Sequence, residues 1–194
     1  MDLQEKTLAV TRVFEGRALT IDCATIEMPN GRRSVREIVR HRGAAVILGQ
    51  RPDGLFVLIH QYRRAVESTL LEMVAGCLEV GETPEVAARR EMEEESGYAV
   101  ETLERVGVIL PCPGYSEERL TLFYARIAQT PRAQNPDFDE NLEPVVMSAE
   151  KIEKAIDDGV LIDGKSIALW FMWRRACING SSSVSATTAK ASQS

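Results

Sequence analysis

The sequence predicts an α/β fold, with a small antiparallel sheet ahead of the main domain. Three observations predict it. Short runs of β-branched and apolar residues, separated by Gly, Pro and Asn turns, recur between Thr7 and Ile127. A helix with its own start and stop signals interrupts them at Pro84 to Ser96. Two further helical segments close the chain after Ser148.

Thr7 to Met28 mixes β-branched residues with charge, and Gly16 divides it into two strands. Asn30-Gly31 is a turn, after which Ser34 to His41 reads as a strand. Gly43 to Gly49 is a short apolar run bounded by glycines, as a buried strand requires. Pro52-Asp53-Gly54 turns the chain into the strand Leu55 to Gln61. Leu70 to Ala75 reads as one more strand, and Gly76 to Thr83 as a glycine-rich loop. Thr83 then suits an N-cap, Pro84 the first helical position and Gly97 the stop. Val86, Ala87, Ala88 and Met92 give this helix an apolar face.

Strands follow near Val100 to Ile109 and Leu120 to Ile127, joined by a loop with Pro111, Pro113 and Gly114. An acidic, Pro-containing loop runs from Thr130 to Glu143, and Val145 to Met147 is a short strand. Ser148 caps a helix that runs to about Asp157, and Gly164 to Cys177 is the last helix. After Asn179 the composition falls to Ser, Thr, Ala and Lys, the signature of a disordered tail. The expected divisions are therefore 1–42, a β-sheet segment; 43–179, the main domain; and 180–194, the tail.

The chain has 194 residues, 44% of them hydrophobic, which is enough for a core of its own. A formal charge of -6 argues against a nucleic-acid binder that works by phosphate neutralisation. It leaves room for a phosphate-bearing small substrate, because a bound divalent ion supplies positive charge locally. Cys23, Cys77, Cys112 and Cys177 have no metal-binding spacing, and only His41 and His60 could assist them, so a zinc site is not expected. We expect reduced thiols and a cytoplasmic protein. No secretory signal is visible, and no apolar run is long enough to span a bilayer.

The chemistry concentrates between Gly76 and Tyr98. On a helix, Glu91 lies three residues from Glu94 and four from Glu95, which gathers three carboxylates on one face. Such repulsion is offset by a hard divalent cation, and Mg²⁺ characteristically joins one or two carboxylates to substrate phosphates. Arg90, four before Glu94, can pair with acid on the same face. A solvated acidic surface is the plainer reading of the glutamates alone.

The whole stretch resembles the Nudix box, G-x5-E-x7-R-E-U-x-E-E-x-G-U, with U aliphatic. Gly76, Glu82, Arg90, Glu91, Met92, Glu94, Glu95 and Gly97 fall in place, and only Tyr98 departs from it. The resemblance runs from about Thr7 to Arg175. It implies an α/β/α sandwich around a mixed sheet. It implies metal ligation by Glu91 and Glu95 with Glu94 nearby, completed by a backbone carbonyl at Ala75 or Gly76. It further implies a structural Glu82 and an Arg90 that orients a glutamate. The implied metal is Mg²⁺, with Mn²⁺ as a substitute.

Two flanking segments are similar to the ADP-ribose pyrophosphatase subgroup. One is Pro113-Gly114-Tyr115-Ser116-Glu117-Glu118. The other is Gln61-Tyr62-Arg63, followed by Leu70-Leu71-Glu72 and Ala75-Gly76. This likeness implies that Arg63, Glu72, Pro113 and Gly114 meet the substrate. It also implies a homodimer that exchanges its N-terminal strands. The catalytic set it implies is Arg90, Glu94 and Glu95, with Glu140 or Glu143 in the acidic loop as general base. The expected reaction is hydrolysis of ADP-ribose to AMP and ribose 5-phosphate. A GDP-mannose or broad nucleotide-sugar pyrophosphatase is the alternative, which the segment Leu161 to Ser166 also resembles. A nucleotide-sugar-sensing module without turnover is the alternative of another class, and the retained glutamates count against it.

Overall fold

A computed structural model of the chain describes residues 3–134 and 141–180. The expectations placed on Glu140 and on residues 181–194 lie outside these. The described elements are β1 (Lys6–Glu15), β2 (Thr20–Glu27), β3 (Arg33–Arg40), β4 (Ala44–Gln50), β5 (Phe56–Arg63), β6 (Ser68–Glu72) and β7 (Val74–Cys77), then α1 (Pro84–Ser96), β8 (Val100–Ile109), β9 (Leu120–Ile127), β10 (Leu142–Met147), α2 (Ala149–Asp157) and α3 (Gly164–Ile178). They form two compact units. One takes the chain up to Gly43 together with Ile109–Leu120; the other takes Ala44–Val108 and the rest from Thr121.

The first unit is built on a three-stranded antiparallel sheet in the order β1-β2-β3. Ala24 and Ile26 on the central strand are buried, whereas all ten residues of the edge strand β1 are exposed. Buried Asp22 ties the three strands together. It accepts from Arg12 Nε on β1 at 2.5 Å and from Arg40 Nε on β3 at 2.8 Å. The bonds from those two guanidiniums hold the Asp22 carboxyl below the usual carboxylate range.

The second unit holds a seven-stranded sheet, with β10-β5-β4-β9-β8 as its main path. Alternation along the strands divides the core into two layers. Val57 and Ile59 of β5, with Phe123, Ala125 and Ile127 of β9, meet Ala87, Ala88 and Met92 of α1. Phe56 lies on the other face, with ring centroids 5.3 Å from Trp170 and 5.2 Å from Trp173 of α3. Tyr124 stacks on Trp173 at 5.5 Å. Helix α2 stands beside α3, joined by the ion pair Arg174–Glu153. Helices on both faces of the sheet make the expected α/β/α sandwich.

Three local expectations change. The single strand expected over Leu70 to Ala75 is two, broken at Met73, because the chain leaves β5 there and joins β4. Buried Met73 sends its N–H to Ser166 Oγ at 2.8 Å. The strand at Val145 begins three residues earlier, at Leu142, and includes Pro144, which an edge strand tolerates. Val86 is 55% exposed and does not belong to the apolar face of α1.

Candidate active site

Helix α1 is fixed at both ends as its sequence requires. Thr83 caps it by accepting from Val86 N, Pro84 opens it, and Gly97 ends it in the left-handed region at φ 77°. A Cβ at Gly97 would also stand 2.4 Å from the Arg132 carbonyl oxygen, so a larger residue is excluded twice over. The helix buries Glu91 and Glu95 along with its alanines and Met92.

Both buried carboxylates turn toward the backbone of β7. Glu95 Oε2 accepts from Ala75 N at 3.4 Å. The Glu91 carboxylate fills the space a side chain at Gly76 would take: a Cβ there would stand 1.9 Å from its carboxyl carbon. The first glycine of the motif is therefore glycine because a glutamate head lies against it.

Arg90 organises the remaining acids. Its Nε and Nη2 bind the two oxygens of Glu82, each at 2.9 Å. Its Nη1 reaches Glu91 Oε1 at 2.7 Å and Glu94 Oε2 at 3.0 Å, and Nη2 also donates to the Cys77 carbonyl at 3.2 Å. Glu82 in turn accepts from Glu79 N at 2.9 Å, which closes the loop onto the helix. The Arg90 bond holds Glu82 below the usual carboxylate range, and the bond to Glu82 leads the causes that push Arg90 upward.

A second cluster starts on β5 and β6. Arg63 Nε and Nη2 form a fork on Glu72, at 2.8 and 2.7 Å. Glu72 is 1% exposed and also accepts from Lys165 Nζ. Burial pushes the Glu72 carboxyl up, but Arg63 and Lys165 together outweigh it, and the net direction is down. The bond to Glu72 raises Arg63, and the charge of Glu95 adds to the same shift. Arg63 Nη1 makes no hydrogen bond among the described residues, and the Arg63 side chain is 39% exposed. Its clamped edge faces Glu72, and its other edge makes no hydrogen bond among the described residues. Sequence reading missed Lys165 as a partner of Glu72, because 93 residues separate them.

The structure therefore brings Ala75, Gly76, Glu91 and Glu95 together, with Glu94 joined through Arg90. Glu143 is placed elsewhere. It pairs with His60 in the β10–β5 ladder, whereas Val146, which packs on the α1 core, pairs with Val57. Residues 143 and 146 face opposite sides of the sheet. Glu143 thus lies on the face away from α1, and its assignment as a base loses its geometric support. Pro113 and Gly114 belong to the first unit, where they line a cavity of about 710 Å³ with Arg36, Arg40, His41 and Tyr115.

The donors fit a hard divalent cation. Glu91, Glu95 and the Ala75–Gly76 backbone offer only oxygen, the atom that Mg²⁺ and Mn²⁺ prefer. Among the described residues no three acidic, thiol or imidazole side chains converge as a ready-made cage. A site with one or two carboxylates and shared substrate oxygens is the form Mg²⁺ ordinarily takes.

The chain is similar to several known proteins. The family model described as NUDIX domain matches residues 39–169. The chain is 34% identical to an ADP-ribose pyrophosphatase of Bacillus subtilis, over 84% of this chain and 89% of that one. It is 33% identical to a methanol dehydrogenase activator of Bacillus methanolicus, over 84% and 89%. A GDP-mannose pyrophosphatase of Cronobacter sakazakii is 34% identical over 69% and 78%. The crystal structure of an ADP compounds hydrolase superposes with a TM-score of 0.80 at 24% identity, covering 95% of this chain and 100% of that one, a likeness of fold.

Proposed function

We propose a reaction for this chain, which belongs to the Nudix hydrolase family: Mg²⁺-dependent hydrolysis of ADP-ribose to AMP and ribose 5-phosphate. One observation carries the chemistry. Two buried carboxylates, Glu91 and Glu95, lie against the backbone of β7 at Ala75 and Gly76, in the same unit as an arginine with a free edge.

Glu91 and Glu95 would hold the metal, with Glu94 beside them and a carbonyl of Ala75 or Gly76 completing the shell. A divalent ion held there would supply the positive charge that polarises the pyrophosphate and lowers the pKa of an attacking water. One pyrophosphate P–O bond breaks, and the water oxygen forms the new bond. Arg63 takes an anionic oxygen on its free edge, while Glu72 keeps its plane fixed. Arg90 orients Glu94, which we assign as the described carboxylate that accepts the water's proton. Pro113 and Gly114 are assigned to the substrate on the likeness of their segment alone.

A second reading is hydrolysis of GDP-mannose. The 34% identity to an enzyme of that name favours it, as does the segment Asp163-Gly164-Lys165-Ser166. A panel of ADP-ribose, GDP-mannose, NADH and nucleoside triphosphates, with Mg²⁺ or EDTA, separates the readings. We expect metal-dependent release of AMP and ribose 5-phosphate, fastest for ADP-ribose. Preference for GDP-mannose keeps the chemistry and changes the substrate. No turnover, with binding intact, leaves a sensing module.

We further propose a homodimer in which β1 pairs with or crosses to a second copy. What supports it is the edge strand β1, exposed along its length, with Val10 49%, Val13 57% and Phe14 52% exposed. Val13→Lys should shift the molecular mass in light scattering from dimer to monomer; a monomeric wild type would contradict the proposal. Among the described residues no helix is long and apolar enough to cross a membrane. The four cysteines form no disulfide among the described residues, which fits a reducing compartment, and we place the reaction in the cytoplasm.

A further inference from the structure

Lys165 breaks two local rules. It follows the N-cap Asp163 in the first turn of α3, where the helix dipole disfavours a cation. Its side chain is also only 15% exposed, which is unusual for lysine. Contacts elsewhere must offset both. Lys165 Nζ bonds Glu72 and, at 3.0 Å, Asp163 Oδ2.

The same turn meets the β6–β7 junction by two routes. One passes through a neutral hydroxyl: Asp163 Oδ2 accepts from Ser166 N at 3.1 Å and from Ser166 Oγ, and Ser166 Oγ accepts from Met73 N at 2.8 Å. The other is charged and passes through Lys165 to Glu72, then to Arg63. The neutral route docks the helix onto the backbone at Met73. Only the charged route ends on a side chain with donors left over. A polar group placed against local preference, at the end of a chain of bonds leading to a ligand-facing residue, is where function overrides stability.

We propose that Lys165 is a positioning residue for substrate binding, which rests on the reading of Arg63 given above. Lys165 shares the charge of buried Glu72, so that Arg63 need not swing inward to neutralise it alone. The free edge of Arg63 then stays turned outward toward the anionic oxygens of a nucleoside diphosphate sugar. Asp163 serves both routes, as cap and as the second anchor of Lys165.

Steady-state kinetics on ADP-ribose with Mg²⁺, together with thermal melts, test this on four proteins. In Lys165→Gln, KM should rise about tenfold while kcat stays within about twofold, the pattern of lost ground-state binding. Lys165→Arg, which keeps the charge, should bring KM back to within about threefold of wild type. Ser166→Ala cuts the neutral route only, so it should lower Tm and leave KM unchanged. An unchanged KM in Lys165→Gln would overturn the proposal. So would an equal rise in KM in Ser166→Ala, because docking of α3 would then explain the effect. A wild type that hydrolyses no nucleoside diphosphate sugar is a different failure: it removes the reading of Arg63 itself, and this inference with it.

Discussion

Arg90 and Arg63 sit in the same unit, each gripping a glutamate with a two-bond fork, yet they are used differently. Arg90 spends all five of its N–H donors inside the protein, on Glu82, Glu91, Glu94 and the Cys77 carbonyl. Arg63 spends two, on Glu72 alone. A saturated guanidinium has nothing left for a ligand, and its work is to set the loop and the acids around it. A half-used one, backed by a buried carboxylate, keeps donors in a fixed plane, and the proposed function gives those donors to an incoming anion. The sequence presents both simply as arginines near glutamates.

The comparison breaks most visibly on stability. Arg90→Ala leaves Glu82 and Glu91, with side chains 8% and 10% exposed, without their main cation. It should cost about 3 kcal/mol in urea unfolding, the scale of a broken buried ion pair; a loss below about 1 kcal/mol would mean the knot is ornamental. Arg63→Ala should do the reverse. Lys165 still compensates Glu72, so stability falls less than in Arg90→Ala, while KM for ADP-ribose rises by about 10-fold or more. A variant with unchanged KM would take Arg63 out of the substrate site.

A smaller effect sharpens the contrast with pH. Glu82 is held below its ordinary value of 4.5 by Arg90, so the pair's contribution is fully present above that value. It is lost as pH falls through the lowered value. Stability should therefore be level above about pH 5 and decline below pH 4.5, and Glu82→Gln should flatten part of that decline. An acid limb identical in the two proteins would show that Glu82 contributes nothing to it.

Much of the frame was legible because its causes are local. Thr83, Pro84 and Gly97 announce the ends of α1 within its own sequence, and the i, i+3 and i+4 spacing announces its acidic face. What was not legible depends on partners distant in sequence. The break at Met73 arises because the chain changes neighbour from β5 to β4. The Lys165–Glu72 bond spans 93 residues. Glu143 looked suitable in an acidic loop, but strand register turns it to the α3 face, and register is a property of pairing rather than of composition. The glycine at 76 was legible as a motif position, while its reason, the Glu91 carboxylate lying against it, required the fold.

The claim that α1 supplies the metal-holding carboxylates is tested most directly by initial rates of ADP-ribose hydrolysis across a Mg²⁺ series, in wild type and Glu95→Gln. Wild type should be silent in EDTA and recover with Mg²⁺. The variant, matched in circular dichroism, should remain on the order of 100-fold slower at saturating Mg²⁺. Near-normal turnover of Glu95→Gln at saturating Mg²⁺ would contradict the assignment of Glu95 as a ligand.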